Sequence, residues 1–238
     1  MFSYLARPLA RLYNRRMTSL PITIAVDGPS AGGKGTIAKK LAAALDFAYL
    51  DTGALYRAVG LIVLRKGWDL ADPQAAIRAA HELKPEAMPA FVNDPELRAE
   101  NTSRAASFVS AVPEVRTILL KFQQDFCARP PLGKKGAVLD GRDIGTVIAP
   151  DAILKLYVTA DAKARATRRY KELIQRGETV TESAVLADMQ ARDKRDAERA
   201  VAPAKSAADA VLLDTTALTA EEAFEAALQL ARFRIEKI

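Results

Sequence analysis

Short apolar runs alternate along the chain with stretches whose apolar residues recur at helical spacing. The runs are rich in β-branched residues, as buried strands are. They cover residues 22–26, 47–50, 137–139, 153–158 and 210–213. Between the first two runs, Ile37, Leu41 and Leu45 follow the period of an amphipathic helix. Strands interleaved with helices predict an α/β fold, in which one parallel five-stranded sheet forms the middle of three layers.

Two regions interrupt this alternation. Between residues 67 and 100, glycine and proline break the pattern repeatedly, which predicts an insertion on the core and not a second domain. After Asp161, two charged helices follow each other, separated by a pause at Arg176-Gly177-Glu178. We therefore expect a core made of residues 21–66, 108–160 and 200–238, an insertion at 67–107 and a helical lid at 161–199.

A glycine-rich loop connects the first predicted strand to the first helix. Against the pattern G-x-x-x-x-G-K-[ST], Gly28, Gly33 and Lys34 match, Gly35 replaces the hydroxyl residue, and Thr36 follows one place later. Glycines let backbone amides turn toward anionic oxygens, and a helix N-terminus adds further amides. The alternative is a tight turn with a chance lysine. We predict a loop that binds a nucleoside triphosphate, formed by Gly28, Pro29, Ser30, Ala31, Gly32, Gly33, Lys34, Gly35 and Thr36.

Composition and charge exclude several classes of protein. The chain has one cysteine and one histidine, which rules out a disulfide framework, a thiolate metal cluster and a histidine-based triad. No apolar run reaches the ~20 residues that cross a bilayer. Four arginines in the first 20 residues account for most of the net charge of +6 and leave about +2 on the rest. The sequence therefore gives little support to a nucleic-acid-binding face.

Residues 1–20 are basic and amphipathic. One interpretation is an organelle presequence or a membrane-surface helix. The other is a disordered leader, or an upstream start codon with true initiation at Met17. We favour the second interpretation because Met17 comes shortly before the first predicted strand.

Charged and hydroxyl residues gather near the predicted strand ends, where ligands bind in open α/β sheets. Thr52 and Arg57 fall in the first turns of a helix capped by Asp51 or Thr52, and could meet a phosphate there; a cap with a surface arginine is the alternative. Asp140 ends a buried strand, where phosphate-loop enzymes hold the magnesium shell.

Three further charged groups have competing interpretations. Arg142 and Asp143 follow the same strand end, and a structural ion pair between them is the alternative to ligand binding. Helical spacing places two sets of charged residues on shared faces, for which a solvated surface is the usual outcome. These sets are Arg165, Arg168 and Arg169, and Arg192, Asp196 and Arg199.

Taken together, these stretches resemble bacterial-type cytidylate kinase over residues 21–235. The resemblance rests on Asp27-Gly28-Pro29-Ser30, Gly33-Lys34-Gly35-Thr36, Asp51-Thr52-Gly53-Ala54-Leu55-Tyr56-Arg57, Leu139-Asp140-Gly141-Arg142-Asp143-Ile144-Gly145-Thr146 and Arg192-Asp193, Arg195-Asp196, Arg199-Ala200-Val201-Ala202-Pro203. It implies transfer of a phosphoryl group from ATP to CMP or dCMP with Mg²⁺. It also implies a cytoplasmic monomer that acts on free nucleotides, with no nucleic acid and no stable membrane association.

The resemblance further implies a role for each matched residue. The glycine-rich loop would hold ATP, and the catalytic residues would be Lys34, Asp140, Arg168 and Arg169. Mg²⁺ would be held through Thr36 and Asp140. The CMP phosphate would be bound by Thr52, Arg57, Arg142, Arg192 and Arg199. Cytosine would be recognised by Ser107, Arg116 and Asp143, and the ribose by Asp196.

This sequence departs from the family pattern in three places. Ala31-Gly32 replaces the usual Gly-Ala order, so a backbone position that favours glycine is expected to carry a Cβ and to weaken ATP binding. The insertion is shorter than the usual three-stranded one, and Gln124 replaces a common arginine. Two other functions stay open: a kinase for UMP, AMP or a metabolite, and a nucleotide-binding switch associated with nucleic acid.

Overall fold

Five parallel strands form the centre of the structure, a computed structural model that describes residues 21–238. The strands are β1 (Ile22–Asp27), β2 (Ala48–Asp51), β3 (Gly136–Gly141), β4 (Leu154–Thr159) and β5 (Val211–Asp214). Their order across the sheet is β2-β3-β1-β4-β5, and every neighbouring pair is parallel. The α/β class and the parallel five-stranded sheet predicted from the sequence are confirmed. The interpretations of residues 1–20 lie outside the described residues.

Nine α-helices lie within residues 21–238. They are α1 (Lys34–Leu45), α2 (Thr52–Arg65), α3 (Pro73–Glu82), α4 (Met88–Asn93), α5 (Glu100–Val109), α6 (Pro113–Ala128), α7 (Ala162–Gln175), α8 (Glu182–Glu198) and α9 (Ala220–Ile235). A single π-helical turn, Ile144–Ile148, follows β3. None of the helices in this part of the chain combines the length and the apolarity needed to cross a bilayer.

Side chains that alternate along β1 hold helices on both faces of the sheet. Ile24 and Val26 pack in the cluster that contains residues of α1 and α9. Ala25 belongs instead to the cluster on the opposite face, where Ile144 and part of α6 cover the sheet. Since a parallel strand in the middle of a sheet is buried on both faces, its continuous apolar run is explained.

Polar side chains fix where the helices of the site begin. The carboxylate of Asp51 accepts a hydrogen bond from the Ala54 amide at 3.1 Å, so Asp51 is the N-cap of α2. Asp161 caps α7 in the same way through Lys163 and Ala164. Both caps place the N-terminal turn of a helix next to the carboxyl end of a strand.

The region that the sequence marked as an insertion folds into short helices. Residues from α3, α4 and the turn at 95–98 share one apolar cluster with α2 and α6. Leu97 is completely enclosed between them, beside Leu55. The glycines and prolines therefore separate helices that cover α2 in one continuous core.

Candidate active site

A cavity of about 380 Å³ opens at the carboxyl ends of β1 and β3. Its walls come from the glycine-rich loop, the start of α2, and helices α5, α7 and α8. Predicted residues of the loop, α2, α6, α7 and α8 meet here, although they lie more than 100 positions apart in the chain. Thr36, Ser107 and Arg168 do not line the cavity. The cavity can thus hold a ligand between the loop and the charged residues of the lid.

The glycine-rich loop is tightly packed against β4. Gly28 has φ +147°, and a Cβ there would lie only 1.9 Å from the carbonyl oxygen of Val158. Ala31 occupies the left-handed region with φ 54°, so the departure noted in the sequence does place a Cβ at a glycine-favoured position. Lys34 begins α1 and donates a hydrogen bond to the Pro29 carbonyl at 3.2 Å. The lysine therefore folds back over the loop, where a phosphate would lie.

Asp140 and Thr36 line a second cavity beside the loop, where they form a candidate magnesium site. The Oδ1 of Asp140 accepts a hydrogen bond from the Tyr49 hydroxyl at 2.9 Å. Its Oδ2 lies 3.3 Å from the position that a Cβ on Gly35 would occupy. Thr36, in the first turn of α1, is exposed. A carboxylate and a hydroxyl are hard oxygen donors that suit Mg²⁺, which keeps several waters, so the residues present fit this ion.

Three arginines, Arg57, Arg142 and Arg192, line another part of the cavity, and Arg142 also donates a hydrogen bond to the Ser30 hydroxyl of the loop at 3.0 Å. Arg57 pairs with Asp51 at 2.5 Å, and Arg142 pairs with Asp196 at 3.1 Å. The Nε atoms of Arg57 and Arg192 are buried, and no hydrogen-bond partner lies within reach among residues 21–238. Buried donors of this kind are costly unless a ligand satisfies them. The cluster is therefore suited to an anion with several acceptor oxygens.

The hydroxyl of Thr52 bonds to the backbone and not to the arginines. It donates to the Asp140 carbonyl at 2.8 Å and is almost fully enclosed. Thr52 thus joins α2 to the end of β3, beneath the arginines.

A second charged group closes the other end of the cavity. Asp143 accepts hydrogen bonds from Arg116 and, at 3.4 Å, from Arg199. Arg116 and Asp143 are only 7% and 4% exposed. Arg116 is buried because α6 packs its guanidinium against the ring of Tyr56. Arg142 and Asp143 do not pair with each other.

Ser107 lies on α5, beside this group. It is buried, and its hydroxyl accepts a hydrogen bond from Arg195 Nε at 3.2 Å. Asp196 is also buried, and its carboxylate meets Arg142. Arg199 follows the end of α8 as its C-cap, so it shares no helical face with Arg192 and Asp196.

The arginines of α7, in the segment predicted to be a lid, have different partners. Arg169 lines the cavity and pairs with Glu100 at 2.5 Å. Arg168 donates two hydrogen bonds to Thr215, at 3.0 Å and 2.6 Å, on the far side of the loop. Arg165 is buried and not solvated, contrary to the usual outcome for such a charged face. The structure therefore does not bring Arg168 and Arg169 to one point.

Burial and crowding of like charges shift the ionisation of the site. Burial, together with the charge of Arg142, lowers the pKa of Lys34 to about 7. Burial also lowers the pKa of Arg192 to about 10, again with a contribution from Arg142. Burial and the charge of Asp51 raise the pKa of Asp140 to about 6. A phosphate dianion in the cavity would favour the charged forms of the lysine and the arginines.

The sequence did not predict the contacts that several residues make in the site. Asp51 was seen only as a cap, yet it also holds Arg57. Asp27 accepts hydrogen bonds from the amides of Ile144 and Gly145, both at 2.8 Å. Arg165 and Asp193 contact Ser30 in the loop. Only Asp27, directly before the first glycine of the loop, had a position that could have indicated a role.

Known proteins resemble this chain along most of its length. A model of the cytidylate kinase family matches residues 24–233. A cytidylate kinase from Rhodospirillum rubrum is 53% identical over 214 residues, which are 90% of this chain and 99% of that protein. One from Paramagnetospirillum magneticum is 54% identical over 205 residues, 86% of this chain and 95% of that protein.

One solved structure supports the fold alone. An uncharacterised protein from Eubacterium ventriosum has a TM-score of 0.50 at 14% identity, and the match covers 88% of this chain and 97% of that one. The match to the family model and the sequence identities above identify the family, which the structural likeness alone does not. The chain belongs to the cytidylate kinase family.

Proposed function

We propose that this protein transfers the γ-phosphoryl group of ATP to CMP or dCMP, giving ADP and CDP or dCDP. The observation that carries the proposal is one cavity that joins the glycine-rich loop to a cluster of partly buried arginines. Phosphoryl transfer depends mainly on positioning the two phosphates in line and on neutralising their charge. The cavity supplies both without a strong general base.

On the donor side, the amides of residues 28–36 and the N-terminus of α1 would bind the ATP phosphates. Lys34 would exchange its hydrogen bond with the Pro29 carbonyl for contacts with the transferred group. Asp140 and Thr36 would hold Mg²⁺. This ion neutralises charge on the β- and γ-phosphates when it is bound.

On the acceptor side, Arg57, Arg142 and Arg192 would bind the CMP phosphate, with Arg199 nearby. Their carboxylate partners hold the first two guanidinium groups in place before a ligand arrives. Preorganised charges of this kind require little rearrangement as the transition state forms. More than one arginine on a single phosphate favours alignment over simple binding.

Cytosine would be recognised by Asp143, Arg116 and Ser107. A carboxylate has about four lone-pair sites, so Asp143 can accept from the cytosine amino group while it remains paired with the two arginines. Uracil would present a carbonyl there, leaving two acceptors face to face, and UMP should therefore be a poor acceptor. Asp196 would meet the ribose.

The experiment that tests this function measures ADP release with ATP and Mg²⁺ for CMP, dCMP, UMP and AMP. We expect fast turnover with the two cytidine nucleotides and a loss of at least about 100-fold in kcat/KM for CMP in Asp143→Ala, since a charged partner is removed from a buried site. The exposed Asp151→Ala serves as the matched control and should keep full activity. Equal turnover with UMP or AMP would reject CMP as the preferred acceptor.

We also propose that the protein acts as a cytoplasmic monomer, without stable binding to membranes or nucleic acid. One chain supplies every residue named above, and most of them line one cavity, which supports action as a monomer. Salt-dependent binding of RNA or DNA would contradict the proposal.

A further inference from the structure

The glycine-rich loop is held from outside the cavity at Ser30. Arg165 donates a hydrogen bond to the Ser30 carbonyl at 3.1 Å. Asp193 accepts one from the Ser30 amide at 3.4 Å. The two side chains also form an ion pair with each other at 2.6 Å. One charged pair therefore contacts both the donor and the acceptor of the same backbone residue.

This pair connects the loop to both helices of the lid. Arg165 lies on α7 and Asp193 on α8. Arg165 is only 8% exposed, and its Nε is fixed by the Ala160 carbonyl at 3.0 Å. A buried guanidinium with all these partners has little freedom to move. The position of the lid helices is thus transmitted to Ser30.

The orientation of the Ser30 carbonyl determines the direction of the next amide. Because the peptide group is planar and trans, the Ala31 N–H points opposite to that carbonyl, away from Arg165. Ala31 needs this support, since its left-handed backbone at φ 54° is unfavourable for a residue with a Cβ. Without the pair, the peptide could rotate and bring Ala31 into a more favourable conformation. A carbonyl would then face the donor phosphates and repel them.

We propose that Arg165 and Asp193 are positioning residues that hold the Ser30–Ala31 peptide in the orientation that binds the ATP phosphates. The inference rests on the proposed ATP site. In this proposal the conformation of the glycine-rich loop depends on helices α7 and α8, through two residues that would not contact a nucleotide. It also accounts for how this chain tolerates alanine at position 31.

The test compares the affinity for a non-hydrolysable ATP analogue with the affinity for CMP, by titration calorimetry. Asp193→Asn and Arg165→Ala should each weaken binding of the analogue by about tenfold or more. Binding of CMP alone should change less than about threefold, since the side chains of Arg165 and Asp193 hydrogen-bond to Ser30 and to each other, and to none of the arginines that would bind the CMP phosphate. The matched controls are Lys171→Ala, which removes an exposed cation from α7, and Glu198→Gln, which removes an exposed carboxylate from α8.

A structural role would give a different result. In that case both affinities would fall in parallel with the midpoint of thermal unfolding. That outcome would overturn the proposal, as would unchanged binding of the analogue. If Arg165→Ala does not fold, Arg165→Lys and Asp193→Asn, which keep most of the side-chain volume, answer the same question.

A rescue experiment isolates the conformation of Ala31. The double variant Arg165→Ala with Ala31→Gly should bind the ATP analogue at least about threefold more tightly than Arg165→Ala alone, because glycine adopts the left-handed region without strain. No restoration would contradict the proposed mechanism. If the unaltered protein and both controls fail to bind the analogue, the ATP site itself is wrong, which differs from a failure confined to the loop variants.

Discussion

Arg192 shows most clearly how single residues in this protein serve a ligand. Its Nε is buried without a hydrogen-bond partner among the described residues, and Arg57 and Arg142 add positive charge around it. Crowded, partly desolvated cations disfavour the ligand-free fold. They favour binding of a phosphate, which provides the missing acceptors. Stability and function are therefore expected to oppose each other at this residue.

Replacing Arg192 with methionine should reveal this opposition. We expect Arg192→Met to raise the free energy of unfolding by about 1 kcal/mol, because a repelling charge is removed. Loss of a charged hydrogen-bond donor should weaken CMP binding by about 10- to 100-fold. Chemical denaturation and calorimetry measure the two effects. A variant that loses both stability and affinity would show that the arginine is mainly structural.

Asp140 should control the dependence on magnesium. Asp140→Asn keeps the shape of the side chain and removes its charge, so activity should require at least about tenfold more Mg²⁺ for half-saturation. Tyr49→Phe is the matched control, since it removes only the hydrogen bond to Oδ1. An unchanged magnesium dependence in Asp140→Asn would place the metal elsewhere.

Single residues were predictable where they lie at the end of a predicted strand or the start of a helix, or where the family resemblance assigns them a role. Only the resemblance indicated Ser107 and Arg116, because neither residue belongs to a local motif, and both are buried in the structure. Arg165 and Asp193 were missed because their partner Ser30 is 135 and 163 positions away. A sequence pattern carries local spacing only, and such contacts depend on how the sheet brings distant segments together.

Among the elements, the link between β1 and the π-helical turn has a direct bearing on the site. Asp27 ends β1, and its two carboxylate oxygens accept hydrogen bonds from Ile144 and Gly145 at the start of the turn. Asp143 directly precedes these amides. Asp27 therefore joins the strand before the donor loop to the segment that carries the residue proposed to recognise cytosine.

Removing one acceptor from this link should loosen the turn. In Asp27→Asn an N–H would face one of the two backbone amides, so we expect the free energy of unfolding to fall by about 1–3 kcal/mol. Binding of CMP should weaken more than binding of the ATP analogue. Denaturant titration and calorimetry test both, with Asp151→Asn as an exposed control. Equal weakening of the two nucleotides would argue against a specific effect on the turn.

Strands and long helices were predictable from their period, but the insertion was not. The predicted strands lie within a few residues of β1 to β5, because buried parallel strands need continuous apolar runs. In the segment at 67–107, the sequence shows only glycines and prolines that interrupt the helical pattern. Its helices α3 and α4 are short and depend on packing against α2 and α6, which no local pattern reports.

At the scale of the whole molecule, the core, the insertion side and the lid meet at a single cavity. The loop follows β1, Asp140 lies at the end of β3, α2 presents Arg57, α6 presents Arg116 and α8 presents Arg192. In the proposed function, the donor and acceptor sites therefore lie next to each other, and we expect both nucleotides to bind at once.

The family model matches residues 24–233, so we expect the activity to be independent of residues 1–16. A chain that starts at Met17 should keep the kcat/KM for CMP within about twofold and the same unfolding midpoint. The basis is that none of the residues assigned to the site lies before Gly28 except Asp27. A large loss of activity in the shortened chain would give the leader a role in the enzyme.

The most direct measurement is the affinity for a bisubstrate compound in which cytidine and adenosine are joined through their 5′ oxygens by five phosphates. One molecule should bind per chain, at least about 100-fold more tightly than CMP or ATP alone, because a single compound would fill adjacent sites at once. Arg192→Met should remove most of this gain. Binding no tighter than that of ATP, or two molecules per chain, would contradict a shared cavity for donor and acceptor.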